Sequence, residues 1–442
     1  MGYEMKLTFY GAAQEVGRSC FLLEDEKTDK NLLLDCGIKL GEKTQYPLLS
    51  DSEIKKIKNI FISHAHLDHS GYLPHIFAAG ASPQVFLTKP TRDLIGVLLS
   101  DYRRIQEEKH EQGNKFKQKD VDDVLQRAHI IEFGTSVKLA FEATLHNAGH
   151  IIGSAMLRIN EHNGIMYTGD ICARNTRILD GCERNISCET LIIESTYGGK
   201  EDIIPSYKES GAKLVAEINE TINNGGFVVI PSFAVGRAQE ILLMLDDYMR
   251  SGALVKTRIF VEGMINKAMR IYRHNAYYAS DEIKKRILMS EDDPFNSKFF
   301  HTSRNKERKD VLSAPCIIVT TSGMLTGGPV HFYLDKLAND PKNKLIFVGY
   351  QAESTPGRKI LDGEKKIKIG YGENEHEVEI NMQIKNVRIS GHADYNDLLQ
   401  FITRVRNLKR IILIHGEKSD LKEALEKKYE IIVPKLEESI RF

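Results

Sequence analysis

A short histidine-rich segment places the strongest constraint on how this chain can fold. His64, His66, Asp68 and His69 fall within six residues, after an apolar strand predicted over Lys58–Ser63 and before a predicted helix. Side chains two residues apart on an extended segment project the same way, so His64 and His66 can bind one ion. Asp68 and His69 lie just beyond and can serve a second ion. A solvated histidine-rich loop is the alternative, and the apolar flanks argue against it.

Three further candidate ligands stand at the ends of other predicted strands. His150 lies among small residues between two strands, and Asp170 and His415 each end an apolar strand. Each alone is more often a structural hydrogen-bonding residue than a ligand. Together with the first segment they supply imidazole and carboxylate groups without thiolate, which is typical of a catalytic zinc pair rather than a structural site.

The order of the predicted strands and helices indicates one domain inserted into another. The chain reads mostly as short strands up to Glu194, whereas helices and strands alternate after Pro205, as they do around a parallel sheet. The last segment resembles the first part again. We therefore predict a host domain formed by residues 1–204 and 384–442, with an α/β domain inserted at 205–383.

Composition excludes some classes of protein. The chain has 442 residues, of which 41% are hydrophobic and 28% charged, as in a globular protein. No apolar run reaches the ~18 residues of a membrane span, and the sequence does not start with a signal peptide. The six cysteines form no CxxC pair, so we predict no disulfide framework and a cytoplasmic location. The formal net charge is zero, which gives no argument for a nucleic-acid partner.

These motifs resemble those of a known family. The HxHxDH segment, the AGHxxGSA pattern around His150 and the TGD sequence that ends at Asp170 look like the metallo-β-lactamase fold. Glu194, His392 and His415 narrow the resemblance to the β-CASP nucleases, which insert a second domain into that fold. The resemblance implies a metallo-β-lactamase αββα sandwich with an inserted α/β β-CASP domain, whose parallel sheet is flanked by helices.

The start of the chain resembles one branch of that family. Gly11–Cys20 and Leu34–Ile38 are similar to the endonuclease subunit of the cleavage and polyadenylation specificity factor. The first predicted strand begins at Leu7, so the resemblance is to the archaeal type without the N-terminal RNA-binding KH region. We also expect no long C-terminal domain after Phe442.

The resemblance implies two Zn²⁺ ions per chain. One would be held by His64, His66, His150 and Asp170, and the other by Asp68, His69, His415 and the shared Asp170. Asp35 would orient a ligand histidine through the ring nitrogen that does not bind the ion. An ordinary carboxylate in a turn is the alternative.

The implied chemistry is hydrolysis of RNA phosphodiester bonds. Two ions can clamp a phosphodiester and lower the pKa of water, which gives a hydroxide nucleophile at neutral pH, with Asp68 at the catalytic centre. His392 is the candidate general acid, and Glu194 would accept its other N–H and raise its pKa. A polar loop residue and a buried, paired carboxylate are the respective alternatives.

Strand-to-helix turns of the inserted domain are candidate phosphate contacts, because glycines and free backbone N–H groups allow close approach. Plain turns are the alternative. No GxxxxGK[ST] motif occurs, so ATP hydrolysis is not indicated. With the loop around His392 included, the candidates are Ser232, Arg237, Ser322, Gly323, Gly327, Gly328, Arg358 and Ser390.

Residues 251–310 contain 13 Lys/Arg and 8 Asp/Glu residues. A basic rim there would attract RNA phosphates, and a solvated helix face is equally consistent with this charge. The aromatic residues Tyr277, Tyr278, Phe299 and Phe300 either stack on bases or, as the sequence favours, form buried core.

The preferred function is a zinc-dependent endonuclease in RNA 3′-end processing or decay. A 5′→3′ exoribonuclease and a non-catalytic subunit of an RNA-processing complex are the alternatives, and a small-molecule hydrolase of the same fold is a third. RNA is the expected partner, and a homodimer or a larger RNA-processing complex is left open.

Overall fold

The structure, a computed structural model, describes residues 5–41, 43–108, 116–290, 292–303, 308–353, 355–370, 372–418 and 420–442. The chain divides into two compact units. Unit 1 contains the chain up to Asn175 together with Asp180–Ile203 and His392–Phe442, and unit 2 contains Thr176–Leu179 and Ile204–Gly391. Strands and helices are numbered along the chain.

Unit 1 contains strands from before and after the main segment of unit 2. Its strands are β1 (Met5–Phe9), β2 (Phe21–Asp25), β3 (Asn31–Leu34), β4 (Asn59–Phe61), β5 (Gln84–Leu87), β6 (Ala128–Ile130), β7 (Ser136–Lys138), β8 (Glu142–Asn147), β9 (Ala155–Ile159), β10 (Ile165–Tyr167), β11 (Thr190–Glu194), β20 (Arg410–Ile414), β21 (Glu430–Ile432) and β22 (Ser439–Arg441). Its helices are α1 (Asp51–Ile54), α2 (Leu67–Ser70), α3 (Leu73–Ala78), α4 (Lys89–Glu108), α5 (Gln118–Gln126), α13 (Tyr395–Arg404) and α14 (Asp420–Leu425).

The strands of unit 1 form two sheets that pack face to face. Among the described residues, one sheet has the order β22-β1-β2-β3-β4-β5-β6 and the other the order β21-β20-β11-β10-β9-β8-β7. Phe9 and Phe21 of the first sheet share a core cluster with Leu157, Tyr167 and Ile412 of the second, and all five are fully buried. Removal of these apolar side chains from water is the main force that holds the sheets together.

The outer face of the second sheet is covered by α13 and α14. Leu191 of β11 and Ile411 of β20 point away from the first sheet and pack against Leu398 and Leu421 of these helices. Because both faces are buried, these parallel strands are continuous apolar runs rather than alternating ones.

Unit 2 alternates strands and helices around a parallel sheet. Its strands are β12 (Val228–Pro231), β13 (Ile259–Val261), β14 (Phe300–Thr302), β15 (Ile317–Thr320), β16 (Lys344–Phe347), β17 (Lys366–Ile369), β18 (His376–Glu379) and β19 (Gln383–Asn386). Its helices are α6 (Tyr207–Asn223), α7 (Arg237–Arg250), α8 (Ile265–His274), α9 (Asp281–Met289), α10 (Arg308–Val311), α11 (Val330–Leu337) and α12 (Pro356–Leu361), with 3₁₀ turns at Ala276–Tyr278, Pro294–Asn296 and Gly372–Asn374.

Six strands of unit 2 form its main sheet. In the part of the chain that the structure describes, their order is β14-β13-β15-β12-β16-β19 with every pair parallel, and β17 pairs separately with β18. Val229, Ile318 and Phe347 of the sheet pack with Tyr333 and Leu334 of α11 in one core cluster. The predicted parallel sheet with flanking helices is therefore present.

Several element bounds differ from those that the sequence predicted. The helix predicted after the histidine segment is α2, which begins at Leu67, and the charged region that follows contains α4 and α5. Residues 109–115 lie outside the described residues. Unit 1 resumes at His392 rather than at residue 384, because Gln383–Asn386 pairs with β16 in the sheet of unit 2.

The aromatic residues of the basic region are not all core. Tyr277 is 78% exposed, so the expectation that it is buried is wrong, and Tyr278, Phe299 and Phe300 are half-buried. Residues 304–307 of the same region lie outside the described residues. Over the described ranges, no helix is long and apolar enough to cross a membrane.

The cysteine side chains give a direct test of this packing. All six cysteines, each within the described ranges, are buried free thiols, and burial raises the pKa of Cys182, Cys188 and Cys316 to about 12. At pH 8 the reactive thiolate of such a group is about one part in ten thousand. We expect Ellman's reagent to label less than one thiol per folded chain within minutes and all six after denaturation. Rapid labelling of the native chain would contradict this packing.

Candidate metal centre

Loops at one edge of the second sheet of unit 1 carry three of the seven candidate ligands and Glu194, and the other four ligands follow β4 of the first sheet. β10, β11 and β20 are parallel neighbours, so their carboxyl ends meet at the same edge. Asp170 follows β10, Glu194 ends β11, and His415 follows β20. The turn between β8 and β9 adds His150.

A first group of side chains converges on one point. One ligand atom each of His64, His66, His150 and Asp170 lies within 4.8 Å of the others. Nδ1 of His66 is 3.2 Å from Nε2 of His64 and 3.2 Å from Nε2 of His150, and Oδ2 of Asp170 is 3.6 Å from Nε2 of His64. Ligand atoms around a tetrahedral zinc ion with bonds of 2.0–2.1 Å are about 3.3 Å apart, so this spacing fits an ion.

The other oxygen of Asp170 faces a second group. Oδ1 of Asp170 lies 3.3 Å from Nε2 of His69 and 3.5 Å from Nδ1 of His415, and the three residues form a group that could hold a metal ion. Asp68 is grouped with His64 and His69, and its Oδ2 is 3.5 Å from Nε2 of His415. Asp170 therefore stands between the two groups, with one oxygen turned to each.

Two polar atoms of this centre support the fit of a cation. Oδ1 of Asp170 and Nε2 of His415 are buried and have no hydrogen-bond partner among the described residues. Buried polar atoms are nearly always satisfied in folded proteins, by protein, water or an ion. Imidazole nitrogens and carboxylate oxygens are ligands that zinc prefers, so the residues present fit a metal centre.

The protonation equilibria of the buried groups are also suited to a cation. Burial lowers the pKa of His64, and the neighbouring His69 lowers it further. Burial opposes protonation of His69, but Asp170 and Asp35 raise its pKa well above the usual value. Burial would raise the pKa of Asp170, but His69 and His415 hold it well below the usual value. The carboxylate thus stays ionised, and its surroundings favour a positive charge at this place.

Asp35 lies directly behind the ligand candidates. It is fully buried, and its carboxylate accepts hydrogen bonds from Nδ1 of His69 at 2.6 Å, from the backbone N–H and the hydroxyl of Ser63 at 2.7 Å each, and from the Tyr167 hydroxyl. With its Nδ1–H held by Asp35, His69 turns Nε2 toward Asp170. This is the geometry by which a carboxylate fixes the tautomer and orientation of a metal-binding histidine.

His392 and Glu194 form a pair beside the metal ligands. Nδ1 of His392 is 3.0 Å from Oε2 of Glu194 and 3.8 Å from Oδ2 of Asp170. Glu194 is fully buried and also accepts hydrogen bonds from the Ile171 backbone N–H at 2.6 Å and from the Thr196 hydroxyl at 2.5 Å. The carboxylate is fixed from three sides, so the imidazole that it contacts is also held in place.

The loop that carries His392 is fixed by residues that the sequence did not single out. Asp394 caps the start of α13 through the backbone N–H of Asp397 at 3.0 Å. Arg174 pairs with both carboxylates, at 2.7 Å from Nε to Asp397. Asp394 could have been found from the sequence as an N-cap residue before an apolar helix, whereas Arg174 lies more than 200 positions away and has no local signal.

The candidate phosphate contacts of unit 2 are partly brought together. Ser232 and Gly323 meet where the turns after β12 and β15 approach, since a Cβ atom on Gly323 would lie 2.9 Å from the Phe233 nitrogen. Arg237 begins α7 in the first of these turns, and its Nε and Nη1 atoms are buried without a hydrogen-bond partner within the described segments. Buried guanidinium nitrogens with unused N–H groups are suited to binding an anion.

The remaining candidates have local partners. The backbone N–H of Ser322 donates to the carbonyl of Gly327 at 2.9 Å, so Ser322, Gly327 and Gly328 shape the turn before α11. Arg358 is exposed and pairs with Asp362 at 2.9 Å. The carbonyl of Ser390 accepts a hydrogen bond from the Tyr207 hydroxyl at 2.8 Å. These contacts give no sign of a ligand.

Comparisons with known proteins agree with this fold. A metallo-β-lactamase superfamily domain matches residues 22–195, a Beta-Casp domain matches residues 238–360, and a Zn-dependent metallo-hydrolase RNA specificity domain matches residues 377–434. Transcription termination factor FttA of Methanocaldococcus jannaschii is 38% identical over 432 residues, which cover 94% of this chain and 68% of that protein. The same factor of Pyrococcus abyssi is 36% identical over 451 residues, which cover 96% and 69%.

A solved structure shows the same fold. The crystal structure of a protein of unknown function from Enterococcus faecalis V583 has a TM-score of 0.61 at 15% identity, and the match covers 99% of this chain and 100% of that one. The chain belongs to the β-CASP family of metallo-β-lactamase-fold proteins, a family of metal-dependent RNA hydrolases. The predicted family, fold class and reaction class are therefore confirmed.

The position of Asp35 predicts a measurable effect on metal binding. Asp35 has a left-handed backbone with φ of 59°, which asparagine also tolerates. We expect Asp35→Asn to fold but to lose metal affinity by about 10–100-fold, because the amide orients His69 less well. Competition with a chelator, followed by metal analysis, measures this loss. Asp29→Asn removes an exposed carboxylate and is the control, and equal affinity in both variants would contradict the role of Asp35.

Proposed function

We propose that this chain is a zinc-dependent endoribonuclease with two metal sites that share Asp170. The observation that carries this proposal is the position of Asp170, with one oxygen toward His64 and the other toward His69 and His415. The pair formed by His392 and Glu194 lies directly beside it. Two metal sites that share a carboxylate, beside a histidine–glutamate pair, would suit phosphodiester hydrolysis.

Seven residues would hold the ions. Zinc at these sites would supply Lewis acidity and a nucleophile at neutral pH. The ligands, as the resemblance implies and the distances allow, are His64, His66, His150 and Asp170 for one ion, and Asp68, His69, His415 and Asp170 for the other. The donor types favour zinc over magnesium or calcium, which prefer oxygen ligands alone.

His392 would protonate the oxygen that leaves. Because its Nδ1 is hydrogen-bonded to Glu194, the proton is transferred from Nε2. Glu194 keeps the ring oriented through this hydrogen bond. Arg174 does not contact His392 in this scheme. It positions the loop of His392, because it pairs with Asp394 and Asp397 at the start of α13.

The relatives suggest which RNA is cut. Transcription termination factor FttA is the name of the related proteins, so nascent transcripts are the proposed substrate, and cleavage would create their 3′ ends. Arg237, with its buried and unused donors, is the proposed phosphate contact on unit 2. A non-catalytic role is disfavoured because every ligand position is occupied by a competent side chain. A cytoplasmic location and a homodimer or larger complex stay predictions.

The general-acid role predicts a separation of activity from metal binding. We expect His392→Ala to lower kcat for RNA cleavage by at least about 100-fold, because general acid catalysis contributes 10²–10⁴-fold. Zinc content, measured by mass spectrometry, should not change. His376→Ala removes an exposed histidine that pairs with Asp335 and should keep full activity. Loss of zinc, or full activity, in His392→Ala would defeat this assignment.

The mode of cleavage is tested with end-labelled RNA. We expect internal cuts in a uniform-length RNA labelled at its 5′ end, with labelled fragments of several nucleotides as the first products. A circular RNA of the same sequence should also be opened, since an endonuclease needs no free end. Release of labelled mononucleotides alone, with the circle left intact, would instead identify a 5′→3′ exonuclease.

A further inference from the structure

The surface formed by α8, the 3₁₀ turn at Ala276–Tyr278 and α9 in unit 2 has an excess of positive charge. Between Ile265 and Ser290 the sequence contains six Lys/Arg residues and two Asp/Glu residues, although the whole chain is neutral. We call five exposed residues of this surface the basic strip, and they are Lys267, Arg270, His274, Tyr277 and Lys285.

Half of these cations are not used in ion pairs. Lys267, Arg270 and Lys285 are exposed and have no ion-pair partner among the residues that the structure describes. The other three are paired: Arg273 with Asp293, Lys284 with Asp281, and Arg286 with Asp246, Asp247 and Asp292. The paired cations stabilise unit 2, and the unpaired ones have no such role.

Two of the unpaired cations lie on one helix face. Lys267 and Arg270 are three positions apart on α8, and His274 follows four positions later, so two cations and an imidazole share one face over about 10 Å. Like charges at this spacing repel each other. Such a row is unfavourable for the isolated helix and becomes favourable when a polyanion binds along it.

An exposed aromatic ring follows directly after this row. Tyr277 is 78% exposed, and Nζ of Lys284 lies 5.5 Å from its ring centroid. The neighbouring ring of Tyr278 is 6.0 Å away in an edge-on arrangement. A tyrosine held by neighbours but open to solvent offers a face on which a base can stack.

We propose that the basic strip binds single-stranded RNA, with phosphates along α8 and a base on Tyr277. This inference rests on the proposed function, because it assumes that RNA is the substrate. Phosphate attraction together with aromatic stacking is the usual means of sequence-tolerant binding to single strands. Leu288 and Met289 at the end of α9 are also exposed, so a second copy of this chain is the competing occupant, and charge complementarity favours RNA.

Binding is measured in a variant that cannot cleave. In the His392→Ala background, anisotropy of fluorescein-labelled oligouridine of 24 and of 6 nucleotides is followed over a range of KCl concentrations. We expect Lys267→Glu with Arg270→Glu to weaken 24-mer binding at least tenfold and to lower the slope of log K against log salt by about 1.4, because two phosphate contacts are lost. Tyr277→Ala should weaken binding about tenfold with an unchanged slope.

A matched control distinguishes a specific effect of the basic strip from a general effect of the net charge on RNA binding. Lys55→Glu with Lys56→Glu changes the charge equally at exposed positions of unit 1 and should have little effect. Equal losses in the two double variants, or no loss in the first, would overturn the proposal. A change from dimer to monomer in Tyr277→Ala, with RNA affinity unchanged, would assign the surface to a second copy instead. Cleavage of the 6-mer by strip variants that retain His392 tests the proposed nuclease function independently of the basic strip.

Discussion

The buried carboxylate of Asp170 is the group on which the site depends. A charge in the interior is stable only when opposite charge or hydrogen bonds compensate it. Here histidines contact both of its oxygens, and one oxygen has no hydrogen-bond partner in the described chain. The buried charges of this cluster therefore lower the stability of the metal-free fold. Metal ions would compensate these charges, so that part of the binding free energy would stabilise the fold.

The architecture of unit 1 explains why this cluster can form. Three parallel strands end at the same edge, and each places a candidate site residue there: Asp170, Glu194 and His415. Both faces of these strands are covered by apolar side chains, so the strands are rigid and their ends are well defined. Precise placement of side chains from neighbouring strand ends is what a two-metal site requires.

The sequence predicts the parts of this site that are close together in the chain, but not the contacts between distant residues. His64, His66, Asp68 and His69 are close in sequence, so their spacing alone indicates a metal loop. The contact between Asp35 and Tyr167 joins residues 132 positions apart, and no local pattern reports such a pair. The sequence places the second segment of unit 1 from residue 384, whereas in the structure it begins at His392. Gln383–Asn386 is a polar edge strand of unit 2, and its composition does not reveal which sheet it joins.

The order of the strands in the second sheet of unit 1 also governs when the candidate metal centre can form during synthesis. β20 lies inside that sheet, between β11 and β21, and supplies the neighbour of His415. The ribosome makes this strand only after all of unit 2, at about 5–20 residues per second. Until then the sheet lacks an internal strand and the second metal group lacks a ligand. The second group of candidate ligands is thus completed only after the inserted unit has been synthesised.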